Sequence, residues 1–175
     1  TSERFWLEIE GLEPGEIYTY QYWVSDLSPV DESPSLVKTA DPFSTMVLSP
    51  FDDPWIPETS YPNLPEYPYD FGIEREVTVL KTGQESYNWQ VEDFEKPKEE
   101  DLIIYEVLIR DFDSERTFQN LIDRIDYFKD LNINAIELMP VMEYEGNESW
   151  GYNTAFHMSV DKFYGPEEKL KEFID

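Results

Sequence analysis

The chain of 175 residues carries 39 Asp and Glu side chains against 13 Lys and Arg, which gives a formal net charge of −26. Nucleic acids and anionic membranes attract basic surfaces, so this balance argues against both as partners and is compatible with an uncharged ligand, or with solubility alone. The sequence contains no cysteine, which excludes a disulfide framework, a thiolate zinc site and a cysteine nucleophile. A hydrophobic fraction of 40% is sufficient for a core.

Two runs of alternating polarity open the chain. The run RFWLEIE covers residues 4–10, the run EIYTYQYWV covers residues 16–24, and a Pro-Gly pair lies between them. Alternation on both sides of a turn pair predicts an antiparallel β-hairpin. One face of the second run is rich in tyrosine and is predicted to form the core of a β-sandwich, with a ligand platform as the alternative. Its members are Tyr18, Tyr20, Tyr22 and Val24.

A proline-rich segment follows, since nine of the 13 prolines lie between Pro29 and Pro68. Proline fixes its own torsion and removes a backbone donor, so regular structure is not expected there. We predict an ordered connector that four aromatic side chains hold against a neighbour, namely Trp55, Tyr61, Tyr67 and Tyr69. A short β segment is predicted at residues 75–82, and the charged stretch at residues 92–101 marks a domain boundary.

After this boundary the pattern changes to alternating strands and helices. Residues 102–112 are almost continuously apolar, which is typical of a strand covered on both faces in a parallel sheet. A helix is predicted next from an apolar stripe at three- and four-residue steps. Asn132 is predicted to end it in the left-handed conformation, and a second strand is predicted at residues 133–141. The stripe comprises Phe118, Leu121, Ile122, Ile125, Phe128 and Leu131.

An aromatic loop is predicted at residues 142–165, followed by a helix with Pro166 in its first position. Two β-α units are too few to close a barrel or to cover a parallel sheet. We therefore expect the chain to be a truncated α/β unit that self-associates in isolation, because it exposes strand edges and an apolar face.

Three sequence segments carry a resemblance to a known family. IYEVLIRDF, FKDLNINAIELMPV and SWGYNTAFHMSVDKFYG resemble the first strand, the second strand and the following loop of the α-amylase family of glycoside hydrolases. The upstream segments GLEPGEIYTYQYWV and ADPFS resemble the end of the immunoglobulin-like sandwich that precedes the barrel in multidomain members. The resemblance implies sandwich strands at 1–42, a connector at 43–98 and the start of a (β/α)8 TIM barrel at 99–175.

The resemblance also implies a substrate groove at the carboxyl ends of the barrel strands, where the loop after strand two lies. Tyr152 would stack on a sugar ring, Asn153 would meet its hydroxyl groups, and Trp150 would line the same site. Packing beneath the loop is the alternative for Trp150, Phe156 and Phe163, and it is the favoured one. Residues expected at the rim of the cleft are Glu143, Asp111 and His157.

The catalytic machinery of the family is not expected in this chain. Retaining hydrolysis needs two carboxyl groups about 5 Å apart, and the resemblance places them on strands four and five, beyond residue 175. Glu106, Arg110 and Glu137 are predicted to form a structural polar layer or buried ion pair inside the barrel. No metal site is predicted in this segment, although calcium is common in the family.

These observations together predict a segment of a retaining hydrolase that acts on α-1,4 or α-1,6 glucans such as starch or glycogen. The alternatives are a branching or transglycosylating enzyme and a non-catalytic glucan-binding protein of the same fold. A relative associated with a membrane transporter is disfavoured. The sequence does not fix the compartment, although secretion or a periplasmic location suits an enzyme that degrades polymers.

Overall fold

The computed structural model describes residues 6–25, 34–69 and 75–175, which form an N-terminal β region and a C-terminal α/β region. None of the helices in these ranges has the length and apolar character that a membrane span requires. The strands of the β region are β1 (Ile17–Tyr20), β2 (Tyr22–Ser25), β3 (Leu36–Thr39), β4 (Val47–Leu48) and β5 (Val77–Lys81).

The strand β1 pairs with β5 rather than with the start of the chain. The two strands are antiparallel, with Ile17 opposite Lys81 and Tyr20 opposite Thr78, and β4 lies on the other side of β5. Residues 6–16 contain no strand, and residues 4–5 of the predicted first strand lie outside the described residues. The predicted hairpin is therefore wrong, because β5 takes the partner position that the sequence pattern assigns to residues 4–10.

The second alternating run is divided at Gln21, and β2 pairs with β3 in a separate two-stranded sheet. The hydroxyl groups of Tyr20 and Tyr22 both donate to Asp41 Oδ2, at 2.9 and 3.0 Å, and their rings meet edge to face. Burial and the Asp41 carboxylate raise the pKa of Tyr20. Tyr22 is exposed, so the tyrosine-rich face joins the two sheets at Asp41 and does not form the predicted continuous core.

The proline-rich connector is held by two of its four predicted aromatic side chains. Tyr67 is buried in a small core with Leu48 and Val77, and its hydroxyl donates to the Arg75 carbonyl at 2.6 Å. Tyr61 is half-buried, whereas Trp55 is exposed, as is Tyr69. Polar contacts of Asp52 and Asp53 also attach the connector to the C-terminal region, and they are described with the site below.

The C-terminal region begins with β6 (Ile104–Val107), three short helices, and the parallel strand β7 (Ala135–Leu138). The helices are α1 (Ile109–Phe112), α2 (Phe118–Asp123) and α3 (Ile125–Asp130). Thr117 and Asn120 form a reciprocal capping box at the start of α2, and the predicted single helix is broken at Arg124. The left-handed conformation predicted for Asn132 is confirmed, with φ at 57°.

One face of the β6–β7 sheet packs on the helices, and its other face is open. Glu106 and Glu137 are paired in register on the open face, and both are exposed. Arg110 lies in α1 rather than on the strand, where it pairs with Asp111. The predicted buried grouping of Glu106 with Arg110 is therefore wrong, because the first strand ends at Val107 and the chain turns into a helix.

The predicted aromatic loop contains a β-hairpin. Strand β8 (Met142–Tyr144) pairs with β9 (Thr154–Val160), and a 3-10 turn at Lys162–Tyr164 leads to α4 (Glu167–Ile174). Pro166 is the N-cap of α4, so the helix begins at Glu167, one residue later than predicted. The hairpin shortens the free loop to residues 145–153.

The open face predicts association of the isolated chain, because Ile104 on β6 is 53% exposed and each strand has an edge that no described strand occupies. An apolar groove of about 450 Å³ also lies between α3, β7 and α4. We expect Ile104→Lys to reduce association by placing a charge on the open face. Light scattering over a tenfold concentration range tests this, and a monomeric parent chain throughout would contradict it.

Candidate functional site

The hairpin presents two aromatic side chains at its loop. Trp150 is 60% exposed and Tyr152 is 69% exposed, although both are large enough to be favoured in a core. Phe163 instead packs against the core of the α/β region, and Phe156 is half-buried. The packing favoured for Trp150 from sequence is therefore wrong, while Phe163 does pack as expected.

Hydrogen bonds within the loop fix its shape. Ser149 Oγ donates to Asn153 Oδ1 and accepts from the backbone N–H of Gly151 at 2.9 Å. Asn153 Nδ2 donates to the Glu145 carbonyl at 3.2 Å, so both ends of the Asn153 amide are engaged inside the loop. Asn153 therefore has a structural role in holding the loop. Its contact with a sugar stays a prediction.

Gly151 allows the loop to approach the end of β7. Its φ is +89°, and a Cβ atom at this position would lie 2.8 Å from the Cβ of Pro140 and closer still to the Pro140 carbonyl oxygen. No L-residue with a side chain fits there without movement of the backbone. Because Gly151 lies between Trp150 and Tyr152, its close approach to Pro140 brings both aromatic residues near the end of β7.

A buried ion cluster holds the base of the hairpin. Lys162 Nζ donates to Glu143 Oε1 and lies 3.2 Å from Asp53 Oδ1, and all three side chains are at most 7% exposed. The Lys162 backbone N–H also donates to Glu143 Oε2, and Asp53 Oδ2 accepts from the Ser49 N–H at 2.9 Å. Glu143 lines the groove described below, but it is only 5% exposed and its carboxylate is the partner of a buried ammonium group, so a role at a cleft rim stays a prediction.

The cluster perturbs the ionisation of its members. Burial alone would lower the pKa of Lys162, but the charges of Glu143 and Asp53 raise it above its ordinary value. Asp161 lies beside the same groups, and burial, together with the charge of Glu143, raises its pKa to about 8. Hydrogen bonds from the backbone N–H groups of Tyr144 and Phe163 oppose this rise.

A groove of about 680 Å³ separates the connector from the hairpin. The residues that line it include Phe51, Phe156, Asp52, Glu76 and Glu145. Aromatic faces and carboxylate oxygens can respectively pack on C–H groups and accept hydrogen bonds from hydroxyl groups. The groove therefore has the composition that suits a neutral ligand with many hydroxyl groups.

None of the other predicted site residues is among those that line this groove. Asp111 is exposed, and a bidentate contact from Arg110 at 2.7 and 2.8 Å lowers its pKa. His157 is exposed on β9. A position at the cleft rim stays a prediction for Asp111 and His157.

Sequence reasoning did not identify Asp53 or Lys162 as part of the site. Their separation along the chain is large, and single-sequence patterns carry no information on which distant charges meet. Within residues 6–25, 34–69 and 75–175, no group of three or more His, Cys, Asp or Glu side chains is arranged to hold a metal ion. The carboxylates of Asp53 and Glu143 instead have the ammonium group of Lys162 as their counter-ion.

Comparisons with known proteins relate the chain to a group of glucan-acting enzymes. No protein-family model matches it. It is 36% identical over 89 residues to a malto-oligosyltrehalose trehalohydrolase of Saccharolobus solfataricus, which covers 51% of this chain and 16% of the relative. It is 32% identical over 95 residues to the chloroplastic isoamylase 1 of Arabidopsis thaliana, which covers 50% of this chain and 12% of the relative.

Solved structures give the same relationship at the level of the fold. A candidate α-amylase from Salmonella typhimurium has a TM-score of 0.53 and 27% identity, covering 57% of this chain and 17% of its own. The GBS pullulanase SAP in complex with maltotetraose has a TM-score of 0.51 and 19% identity, covering 77% of this chain and 19% of its own. The chain thus spans less than a quarter of each of these proteins. The predicted resemblance to the α-amylase family of glycoside hydrolases is therefore confirmed, and the chain corresponds to a small part of those enzymes.

Proposed function

We propose that this chain is the segment of a retaining glycoside hydrolase that supplies part of its binding site for α-1,4 or α-1,6 glucans. The observation that carries the proposal is the pair of exposed aromatic side chains on a loop held by hydrogen bonds, in a chain related to glucan-acting enzymes. A pyranose ring offers a face of C–H groups, and the Tyr152 ring offers the complementary flat surface.

The finer architecture belongs to the same proposal. The parallel pair β6–β7, with helices on one face only, is what the first two units of a (β/α)8 barrel would provide. The antiparallel strands β1 to β5 are what the end of an immunoglobulin-like sandwich and its connector would provide. In this arrangement the loop at 145–153 lies at the carboxyl end of β7, where such barrels bind substrate.

The chemistry would be supplied by carboxyl groups outside this chain. Glu143, Asp53 and Asp161 are buried around Lys162, so they lack the access to a sugar that a nucleophile and an acid need. The same pairing leaves few free oxygen atoms for calcium, which prefers six to eight oxygen ligands. A calcium site in the longer protein would therefore lie outside the cluster around Lys162.

The first experiment compares the 175-residue chain with a version extended to the natural end of its reading frame, using reducing-sugar release from soluble starch and pullulan. We expect release from the extended protein alone. Consumption of starch without new reducing ends would favour a branching or transglycosylating enzyme. Binding of starch without any turnover would favour a non-catalytic glucan-binding protein.

Tyr152→Ala in the extended protein is expected to lower kcat/KM on maltooligosaccharides by at least about tenfold, because the stacking surface for the sugar is lost. The matched control is Phe43→Ala. It also removes an exposed aromatic ring, but from a residue far along the sequence from the β8–β9 hairpin. Equal values of kcat/KM for the two variants would contradict the role of Tyr152.

A further inference from the structure

The aromatic loop is attached to the connector at its base and near its tip. At the base, the carboxylates of Glu143 on β8 and Asp53 on the connector share the ammonium group of Lys162, which lies two residues beyond the end of β9. Near the tip, Asn147 Nδ2 donates to the Asp52 carbonyl at 2.9 Å. Two adjacent connector residues therefore contact both ends of the hairpin.

The connector is itself shaped to make these contacts. Ser49 Oγ donates to Asp52 Oδ2 at 3.2 Å, and the Ser49 N–H donates to Asp53 Oδ2 at 2.9 Å. The N–H of Trp55 donates to the Asp52 carbonyl, so this oxygen accepts from the connector and from the loop together. A turn closed by its own side chains presents one fixed carbonyl to the loop, which lowers the conformational entropy lost on attachment.

We propose that Asn147 is a positioning residue, through which the connector holds Trp150 and Tyr152 in the geometry that binds a glucan. This inference deepens the proposed function and rests on it. The proposed role of Asn147 is exerted through the loop and not through contact with the reacting sugar. Glu148 in the same loop also pairs with Arg116, but their side chains are 66% and 40% exposed, and such exposed pairs contribute little. The hydrogen bond of Asn147 to the connector, together with the close approach of Gly151 to Pro140, therefore restrains the loop.

The test uses the protein extended to its natural end and compares Asn147→Ala with Asn88→Ala, which shortens an exposed amide elsewhere on the chain. Loss of one hydrogen bond predicts faster amide exchange at residues 145–153, by about threefold to tenfold, with unchanged exchange at residues 167–174. The same loss predicts a KM for maltooligosaccharides raised by about threefold to tenfold, with kcat changed by less than about twofold. Asn88→Ala should change none of these quantities.

The two measurements separate this inference from the proposed function. Unchanged exchange at residues 145–153 in Asn147→Ala would overturn the attachment. Faster exchange with an unchanged KM would overturn the positioning role, since a merely structural contact produces that pattern. If the unmutated extended protein turns over no glucan, the proposed function fails. The dissociation constant for maltoheptaose then replaces KM as the measure of glucan binding. An equal dissociation constant in Asn147→Ala and the unmutated protein would also overturn the positioning role.

Discussion

Lys162→Met should lower the free energy of unfolding by about 3–5 kcal/mol, the typical effect of removing one partner from a buried ion pair. Methionine keeps most of the side-chain volume but leaves Glu143 and Asp53 without a counter-ion in a site where both are at most 7% exposed. Denaturant unfolding of the 175-residue chain at neutral pH measures this loss. The matched control is Lys169→Met, which breaks an exposed pair with Glu172 and should cost less than about 1 kcal/mol.

The destabilisation should also depend on pH. Without Lys162, burial raises the folded-state pKa of the stranded carboxyl groups above the unfolded values, so the folded state binds more protons than the unfolded state. Stability is then gained as the pH falls toward the unfolded pKa values and lost as it rises. We expect the deficit of Lys162→Met to be smaller at pH 5 than at pH 8. An equal deficit at both values would show that the loss comes from packing rather than from unpaired charge.

Gly151→Ala should be the most disruptive single change in the aromatic loop. Positive φ alone costs a side chain about 1 kcal/mol, and the new Cβ atom would also lie 2.8 Å from the Cβ of Pro140. Relief of this overlap requires a backbone shift, which typically adds about 1–3 kcal/mol. Because Gly151 lies between Trp150 and Tyr152, the shift should also reduce glucan binding by the extended protein. Denaturant midpoints and maltoheptaose titration measure the two effects.

Gly146→Ala is the matched control for this change. Gly146 has φ at +82°, close to that of Gly151, but no atom lies within 4 Å of the Cβ atom it would gain. It therefore carries the torsional cost without the overlap, and its unfolding free energy should fall by only about 1 kcal/mol. Equal losses in the two variants would mean that contact with Pro140 does not restrain the loop.

Local patterns predicted the C-terminal region better than the N-terminal one. The parallel pair β6–β7 and the left-handed Asn132 follow from runs of apolar residues and from a helix stop, which are read within a short window. The helix break at Arg124 and the early end of β6 at Val107 were not predicted, because apolar periodicity continues across both points. Such boundaries depend on packing against other elements.

The distant contacts were not predictable in the same way. The pairing of β1 with β5 competes with a nearer alternating run, and nothing in a single sequence ranks the two partners. Lys162 follows a β strand and precedes two aromatic residues, a setting that gives no indication of burial. Its partner Asp53 comes from a segment whose prolines indicate only irregular backbone. The aromatic composition of the loop was informative, whereas the charges that hold it were not.

The antiparallel pairing of β1 with β5 has a consequence for synthesis on the ribosome. Strand β1 precedes its partner in the chain, and the order of the sheet places β5 between β1 and β4. Neither outer strand can complete this sheet until Val77–Lys81 has left the exit tunnel, because β5 supplies the hydrogen-bonding groups for both. During that interval β1 and β4 lack the partner that β5 provides, and the net charge of −26 on the whole chain opposes association of such unpaired edges between chains.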